Sequence, residues 1–425
     1  MKKIIKFFNT FSFLNICHFY DTRLREGLVF GRAFSPLKFS ARFFPFWFGK
    51  YNYNNIIIQA KGISKNDDIK ISDSGTFNFT GYLEKKLLLQ IRDILKLPFA
   101  IFSGYTTSGG TEANIYAMWI AREWATSKVK EKDRKIYWII PNNAHYSINK
   151  ALNLLNIKNN SDNEIIAIKT DSLGRADWQQ IIKSIKAVRE RGNDPIILPL
   201  TAMTTECGSI DPIFELNDFI NKSKFDNIFF HVDAAFSGFF LPFLKEYHNI
   251  FSLSSLFSIT VDFSKTIGGT VGSGAVIFRV GLEEYANIDA PYLLGNSDKT
   301  LTGSRSGLDV IAMYSLLAIN SEENIRNDIL DALKKTSFLA KEILAIDFIK
   351  LFYEPKLNYI VFSLVNIEEN KEEKIRKILA SYSISSSIVG IEDKKEELFK
   401  IIIRNDHTYR NIKKLIKDLK SATKT

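Results

Sequence analysis

Asp233 closes the apolar run in "DNIFFHVDAAF", and Lys265 closes the one in "SLFSITVDFSK", so an acid and an amine are each delivered from the end of a hydrophobic segment. An amine in an apolar crevice loses proton affinity and becomes a nucleophile toward carbonyls, which is the start of Schiff-base chemistry. Two further segments bear on that chemistry. "TTSGGTEANIYAMWIARE" runs small residues straight into a helical pattern, so Gly109, Gly110 and Thr111 can present backbone N–H groups where the helix dipole favours an anion. The same stretch also reads as an ordinary helix start, with Ser108 as N-cap and Glu112 in the first turn. "NNAHYSINKA" places His145 just after the apolar "YWIIP". A lone histidine is more often structural than catalytic, and its company at other strand ends tips this one toward function.

The surrounding pattern shows what must hold these groups. From about position 135 short β-rich runs follow one another: "KIYWIIP", "NEIIAIKT", "DPIILPLTAM", "DNIFFHVDAAF", "SLFSITVDF" and "SGAVIFR". Between them lie amphipathic stretches such as "DWQQIIKSIKAVRERG". Runs of this length read as buried parallel strands with crossover helices, an α/β sheet whose ligands gather at the carboxyl ends of the strands. Upstream, "GYLEKKLLLQIRDILKLP" predicts a helix ended by Pro98. Downstream, long helices lead into "LNYIVFSLV", "SISSSIVGI" and "LFKIIIRND", the pattern of a smaller α+β domain. The expected organisation is an N-terminal segment over 1–75, a large α/β domain over 76–315 and a small C-terminal domain over 316–425.

An aldehyde-capturing lysine, a carboxylate, a flat ring neighbour and an anion cradle together describe a site for pyridoxal 5'-phosphate. Asp233 would pair with the pyridine nitrogen and keep it protonated, making the ring an electron sink. His145 would stack on one face of the ring, and Ala235 would allow close approach on the other.

The stretches "SGGTEAN", "AHYSINKA", "MTTECGSIDPI", "HVDAAFSGFFLPF", "SITVDFSK" and "DAPYLLGNSDKTLTGSRSG" resemble, in order and spacing, the group II pyridoxal phosphate-dependent amino acid decarboxylases, and among them the archaeal-type tyrosine/aspartate decarboxylases. The resemblance implies fold-type I, decarboxylation of an L-amino acid to the amine and carbon dioxide, and a homodimer with the active site at its interface. It implies Lys265 as the Schiff-base lysine, Asp233 as partner of the ring nitrogen, His145 as the stacking residue, Gly110 and Thr111 at the phosphate, and Thr205 on the cofactor. Thr302 and Gly303 would close the partner's phosphate site. Ser264 stands where the family has histidine; it can donate to a phosphate but carries no charge. The family's substrate-carboxylate arginine corresponds loosely to "FKIIIRNDHTYR", where strand alternation would put Lys400 and Arg404 on one face. Tyr292, in a loop with Gly295, Asn296, Ser297 and Asp298, reads either as a lid phenol returning a proton to Cα or as packing at the dimer interface. The nearest alternative is a carbon–carbon lyase of the sphingosine-phosphate lyase type, and a more distant one is a basic adaptor that has lost catalysis.

Composition bounds these readings. At 425 residues and 45% hydrophobic, the chain can bury a large core. Two cysteines, Cys17 and Cys207, far apart, argue against a disulfide framework or a metal site and for a cytoplasmic setting. The net charge of +10 is carried by lysines mixed with glutamates, as in "NKEEKIRKILA", which reads as solvated faces and not as a track for nucleic acid or a membrane. The N-terminal "MKKIIKFFNTFSFLNICHFYDTRLREG" is interrupted by Lys6, Asn9 and Asn15, so it makes a poor signal peptide and no membrane span. Its phenylalanines are expected to pack at the dimer interface.

Overall fold

The computed structural model describes residues 52–53, 58–59, 79–98, 101–129, 134–292 and 296–422. Apart from two short strands, the expected N-terminal segment, with Cys17, lies outside them. The two strands are β1 (Asn52–Tyr53) and β2 (Ile58–Gln59), followed by α1 (Phe79–Ile94), β3 (Phe102–Thr107) and α2 (Gly110–Lys128). Next come β4 (Ile136–Pro141), α3 (Tyr146–Leu154), β5 (Asn163–Ile168), α4 (Trp178–Arg191), β6 (Ile196–Thr201) and α5 (Ile213–Ser223). Then β7 (Ile228–Asp233), β8 (Leu256–Asp262), the one-turn α6 (Phe263–Thr266) and β9 (Gly274–Arg279) complete the sheet.

Eight strands hydrogen-bond in the order β2-β3-β9-β8-β7-β6-β4-β5. From β8 to β5 every pairing is parallel, while β9 runs antiparallel to both β8 and β3. A parallel return needs a crossover of roughly a dozen residues, usually a helix. The chain after β8 spends its connection on α6 and on turns at Gly268 and Gly272, both with positive φ, so "SGAVIFR" comes back antiparallel. Strands β4, β6 and β7 are buried at every position, which is why they read as unbroken apolar runs, whereas the edge strand β5 is mostly half-exposed. Strand β3 escaped the sequence pattern because Ser103, Gly104, Thr106 and Thr107 dilute it, yet all six of its residues are buried. Gly104 is required there, since a Cβ would lie 2.4 Å from the Val276 carbonyl oxygen of β9.

Helix α2 crosses β7, β8 and β9, burying Ala113, Tyr116, Ala117, Ile120 and Ala121 against a core that includes Trp138, Phe229 and Phe278. Its small side chains let its first turn lie close to the sheet. Beyond β9 a hairpin of β10 (Ile288–Asp289) and β11 (Ser297–Asp298) and then β12 (Arg305–Ser306), which pairs with β1, lead to α7 (Gly307–Ile319) and α8 (Glu322–Ile343).

The chain divides into two compact units. Among the described residues the larger holds everything up to Ile325 together with Gly390–Lys395, and the smaller holds the remainder. The expected boundary at 315 lies inside α7, which belongs to the larger unit. The smaller unit carries β13 (Ile349–Leu351), β14 (Tyr359–Leu364), α9 (Glu369–Ser381), most of β15 (Ser386–Ile391) and of β16 (Lys394–Ile402), and α10 (Tyr409–Ser421). Its four-stranded sheet has the order β13-β14-β16-β15, with β14 antiparallel to β13 and β16. Ile412, Leu415, Ile416 and Leu419 form the apolar stripe that seats α10 on a core with Phe362, Phe399 and Leu339.

Candidate active site

Because β3 runs in the same direction as the parallel strands, Thr107, Pro141, Thr201, Asp233 and Asp262 all mark one edge of the sheet. Asp233 ends β7, and Lys265 sits in the single turn that follows β8. His145 begins α3 just after β4. The charges of Asp233, Lys265, Lys150 and Asp262 all act on the imidazole of His145, so these groups lie near it at this edge of the sheet. Burial is the largest influence on that imidazole and pushes its pKa below the usual histidine range.

Around Asp233 the polar groups interlock. The Asn114 Nδ2 amide donates to Asp233 Oδ2 at 2.7 Å and to Ser147 Oγ at 2.8 Å, while the Ala235 N–H donates to Asp233 Oδ1 at 3.0 Å. Ser147 Oγ lies 2.7 Å from His145 Nδ1, and its backbone N–H also points at that nitrogen. Behind them His231, fully buried, contacts Asn114 Oδ1 through Nε2 at 3.1 Å and Ser258 Oγ through Nδ1 at 2.8 Å. Burial lowers the His231 pKa to about 4, against the opposing pull of Asp233, so its ring is neutral. The donor directions follow. Asn114 Oδ1 can only accept, so His231 carries its proton on Nε2 and accepts from Ser258 at Nδ1. The Ser147 N–H donates to His145 Nδ1, so that nitrogen is an acceptor, the Ser147 hydroxyl also donates to it, and the His145 proton is left on Nε2.

At the other end of the crevice, α2 begins with Gly109 as its N-cap, in place of the expected Ser108. Ser108 instead donates its N–H and hydroxyl to Glu112 Oε2, at 2.8 and 2.6 Å. Gly109 has φ 114°, and a Cβ on Gly110 would lie 2.9 Å from Cβ of Ala235, so the backbone lies close to that side chain. The Gly110 N–H donates to Asp262 Oδ2 at 3.1 Å, and Ser264 donates its N–H and hydroxyl to Asp262 Oδ1 at 2.9 and 2.6 Å. Thr111 is half-buried in the first turn. Thr302 Oγ1 donates to Glu112 Oε1 of the same chain at 3.1 Å, and Gly303 beside it has φ 67°. The loop they belong to is anchored by Arg305, whose guanidinium meets the fully buried Glu84 at 3.2 Å. Glu84 in turn accepts from the N–H and hydroxyl of Thr106 at the end of β3.

Other expected residues fall elsewhere. Thr205 is exposed in a turn after β6, next to Thr204, which is buried. Tyr292 is 87% exposed at the turn of the β10–β11 hairpin, and Gly295 lies outside the described residues. Ser297 and Asp298, read from the sequence as open loop, pair with Asp289 and Ile288. Lys400 lies on β16 opposite Val361. Arg404 lies beyond the last residue of β16, so strand alternation does not set its direction, and Nε and Nη2 both donate to the Asp406 carboxylate. Asn114, Ser147, His231 and Asp262 escaped the sequence reading. Period two was the available signal: His231 shares a strand face with Asp233, and Ser258, Thr260 and Asp262 share the facing positions on β8.

The crevice accepts pyridoxal 5'-phosphate by its own inventory. It offers a buried carboxylate held from two sides, a half-buried lysine, a neutral imidazole and a glycine turn whose added Cβ would fill the space. The hydroxyls of Thr260, Thr266 and Thr270 are buried without a protein partner. On a sheet of this order the crevice makes the chain a fold-type I pyridoxal phosphate enzyme. Residues 79–365 match the pyridoxal-dependent decarboxylase conserved domain, and the chain belongs to that family of amino acid decarboxylases.

A probable L-tyrosine/L-aspartate decarboxylase of Methanococcus aeolicus is 32% identical over 73% of this chain and 78% of its own length. A probable L-aspartate decarboxylase of Archaeoglobus fulgidus is likewise 32% identical over the same shares. Among solved structures, a Lactobacillus brevis glutamate decarboxylase superposes with a TM-score of 0.73 at 17% identity, covering 94% of this chain and 88% of that one. A Burkholderia pseudomallei sphingosine-1-phosphate lyase superposes with a TM-score of 0.76 at 16% identity, covering 100% of this chain and 90% of that one. These two likenesses show the fold alone and give the lyase alternative no independent support.

Proposed function

We propose that this decarboxylase removes carbon dioxide from an aromatic or acidic L-amino acid, with Lys265, Asp233 and His145 as its working groups. Support for that substrate class comes from the two curated relatives, named for tyrosine and aspartate or for aspartate alone. The observation that carries the assignment of roles is the Asn114 amide, which ties Asp233 and the serine holding His145 into one rigid unit. Bound pyridoxal phosphate supplies the sink for the electrons left behind when carbon dioxide departs. Asp233 would pair with the ring nitrogen and keep a proton on it, and Asn114 keeps that carboxylate from turning. His145 would stack on the ring, with its remaining proton on Nε2. Lys265, in the turn after β8, would supply the amine that holds the cofactor covalently and gives way to the amine of the substrate. The backbone N–H groups at residues 109–111 would hold the phosphate, with Thr205 on the cofactor and Thr302 and Gly303 closing the partner's phosphate site.

The working enzyme is a cytoplasmic homodimer in this reading. Tyr292, Ile288, Val271 and Leu301 leave large apolar side chains exposed on the larger unit, a surface that a second copy would cover. Among the described residues no helix is long and apolar enough to cross a membrane. Screening the twenty amino acids for carbon dioxide release tests the substrate assignment: tyrosine or aspartate should lead. Release from neither, with turnover of an unrelated amino acid, would overturn the substrate class and leave the decarboxylase. Tyr292→Phe separates its two roles, because in aerated solution a proton donor lost from the reaction diverts product from amine to aldehyde and ammonia, with dioxygen consumed as the oxidant and hydrogen peroxide formed, and a packing residue does not.

A further inference from the structure

We infer that Asp262 is a built-in anion that holds the donors of the phosphate cradle and so sets how tightly the cofactor is bound. The inference rests on reading residues 109–111 as that cradle. One carboxylate, 6% exposed, collects the Gly110 N–H on Oδ2 and the Ser264 N–H and hydroxyl on Oδ1. A Cβ on Gly109 would face the same Oδ2 at 3.6 Å. Ser264 was the residue expected to donate to the phosphate, and its hydroxyl is already committed to Asp262. On the same face of β8, the Thr260 hydroxyl is buried without a partner.

Two consequences follow from elementary electrostatics. Without cofactor, the carboxylate keeps the buried N–H groups paired, so the cradle is held in shape and no orphaned donor is left. With cofactor, a phosphate carrying nearly two negative charges meets a carboxylate that uses the same donors, and like charges at this range oppose each other. Binding then exchanges one anion for another, where an empty nest would simply be filled. An asparagine at 262 keeps the shape and changes the sign of the contact. Its oxygen can still accept from Ser264, while its amide cannot accept from Gly110 and offers the phosphate an additional donor.

The test compares pyridoxal phosphate with pyridoxal, which has the same ring and aldehyde and no phosphate, binding to the apoenzyme by equilibrium dialysis and by quenching of tryptophan fluorescence. In the unaltered protein pyridoxal phosphate should bind more tightly than pyridoxal. Asp262→Asn should widen that preference by about tenfold, the effect of roughly one hydrogen bond to a charged group. Inorganic phosphate should compete more effectively in the variant. A general loosening of the crevice moves both ligands together, so the ratio of their affinities decides the matter even if the variant binds both less well. A ratio that stays the same or narrows would overturn the role of Asp262. Equal binding of both ligands by the unaltered protein would instead overturn the cradle assignment itself.

Discussion

At the Asp233 end of the crevice each polar group is held by another residue of the chain, whereas at the start of α2 the donors converge on a single carboxylate. The first arrangement suits a task that depends on orientation. Asp233, Asn114, Ser147 and His145 form a continuous hydrogen-bonded chain, and the Asp233 carboxylate, which only accepts, leaves Asn114 one way to face. The second suits a task that depends on charge. Gly110 and Ser264 point at Asp262, and any phosphate placed there contends with it. The difference teaches that one crevice can be rigid where it selects a protonation state and electrostatically adjustable where it sets affinity.

Lys265 belongs to both ends, and its removal should have the largest effect. Lys265→Ala should reduce decarboxylation to background, and borohydride reduction followed by mass spectrometry should find no cofactor attached to the chain. An attached cofactor in this variant would place the amine elsewhere and dissolve the comparison. Asn114→Ala comes next. It strips Asp233 and Ser147 of a shared donor, and losing a hydrogen bond to a charged group costs about 1.5–3 kcal/mol. That predicts a fall in kcat of about tenfold to a hundredfold, with the affinity for pyridoxal phosphate changing less than kcat. A loss confined to cofactor affinity would show that the hydrogen-bonded chain anchors the ligand and does not orient the acid.

The effect most remote from turnover concerns stability against pH. His231 takes up a proton near pH 4 in the folded protein and near 6.5 when unfolded, so between those values the unfolded chain binds more protons. Stability from this group is therefore present above the unfolded value and is lost as pH falls toward 4, by on the order of 3 kcal/mol in total. Asp211 acts in the opposite sense, because burial raises its pKa to about 6 and the folded state then binds the extra proton. Chemical denaturation of the protein and of His231→Gln across this range isolates the histidine. The variant should show the shallower fall on acidification, whatever its absolute stability, and parallel curves would mean that His231 is not the neutral support assigned to it.

Much of this design was legible in the chain alone. Local hydrophobic pattern marked β4, β6, β7, β8 and β9 as apolar runs suited to cover on both faces, marked the edge strand β5 by its isoleucines, and marked α1 and α4 by helical period. Short motifs marked Lys265, Asp233, His145 and Gly110, since each sits where such a pattern stops. The same pattern left β3 hidden, because a strand of serine, glycine and threonine is buried by its neighbours and not by its own composition.

What tertiary structure alone decided is which groups meet. Asn114 reaches Asp233 across 119 positions, and Gly110 reaches Asp262 across 152, through a sheet order that interleaves early and late strands. A hydrogen bond acts over about 3 Å, so its partner depends on which strands lie side by side and on which side chains share a face. Local sequence could place Ser264 and Ser108 near a site. Only the packed sheet determined that Ser264 gives its hydroxyl to Asp262, that Ser108 gives its own to Glu112, and that Asn114 joins the acid to the histidine's serine.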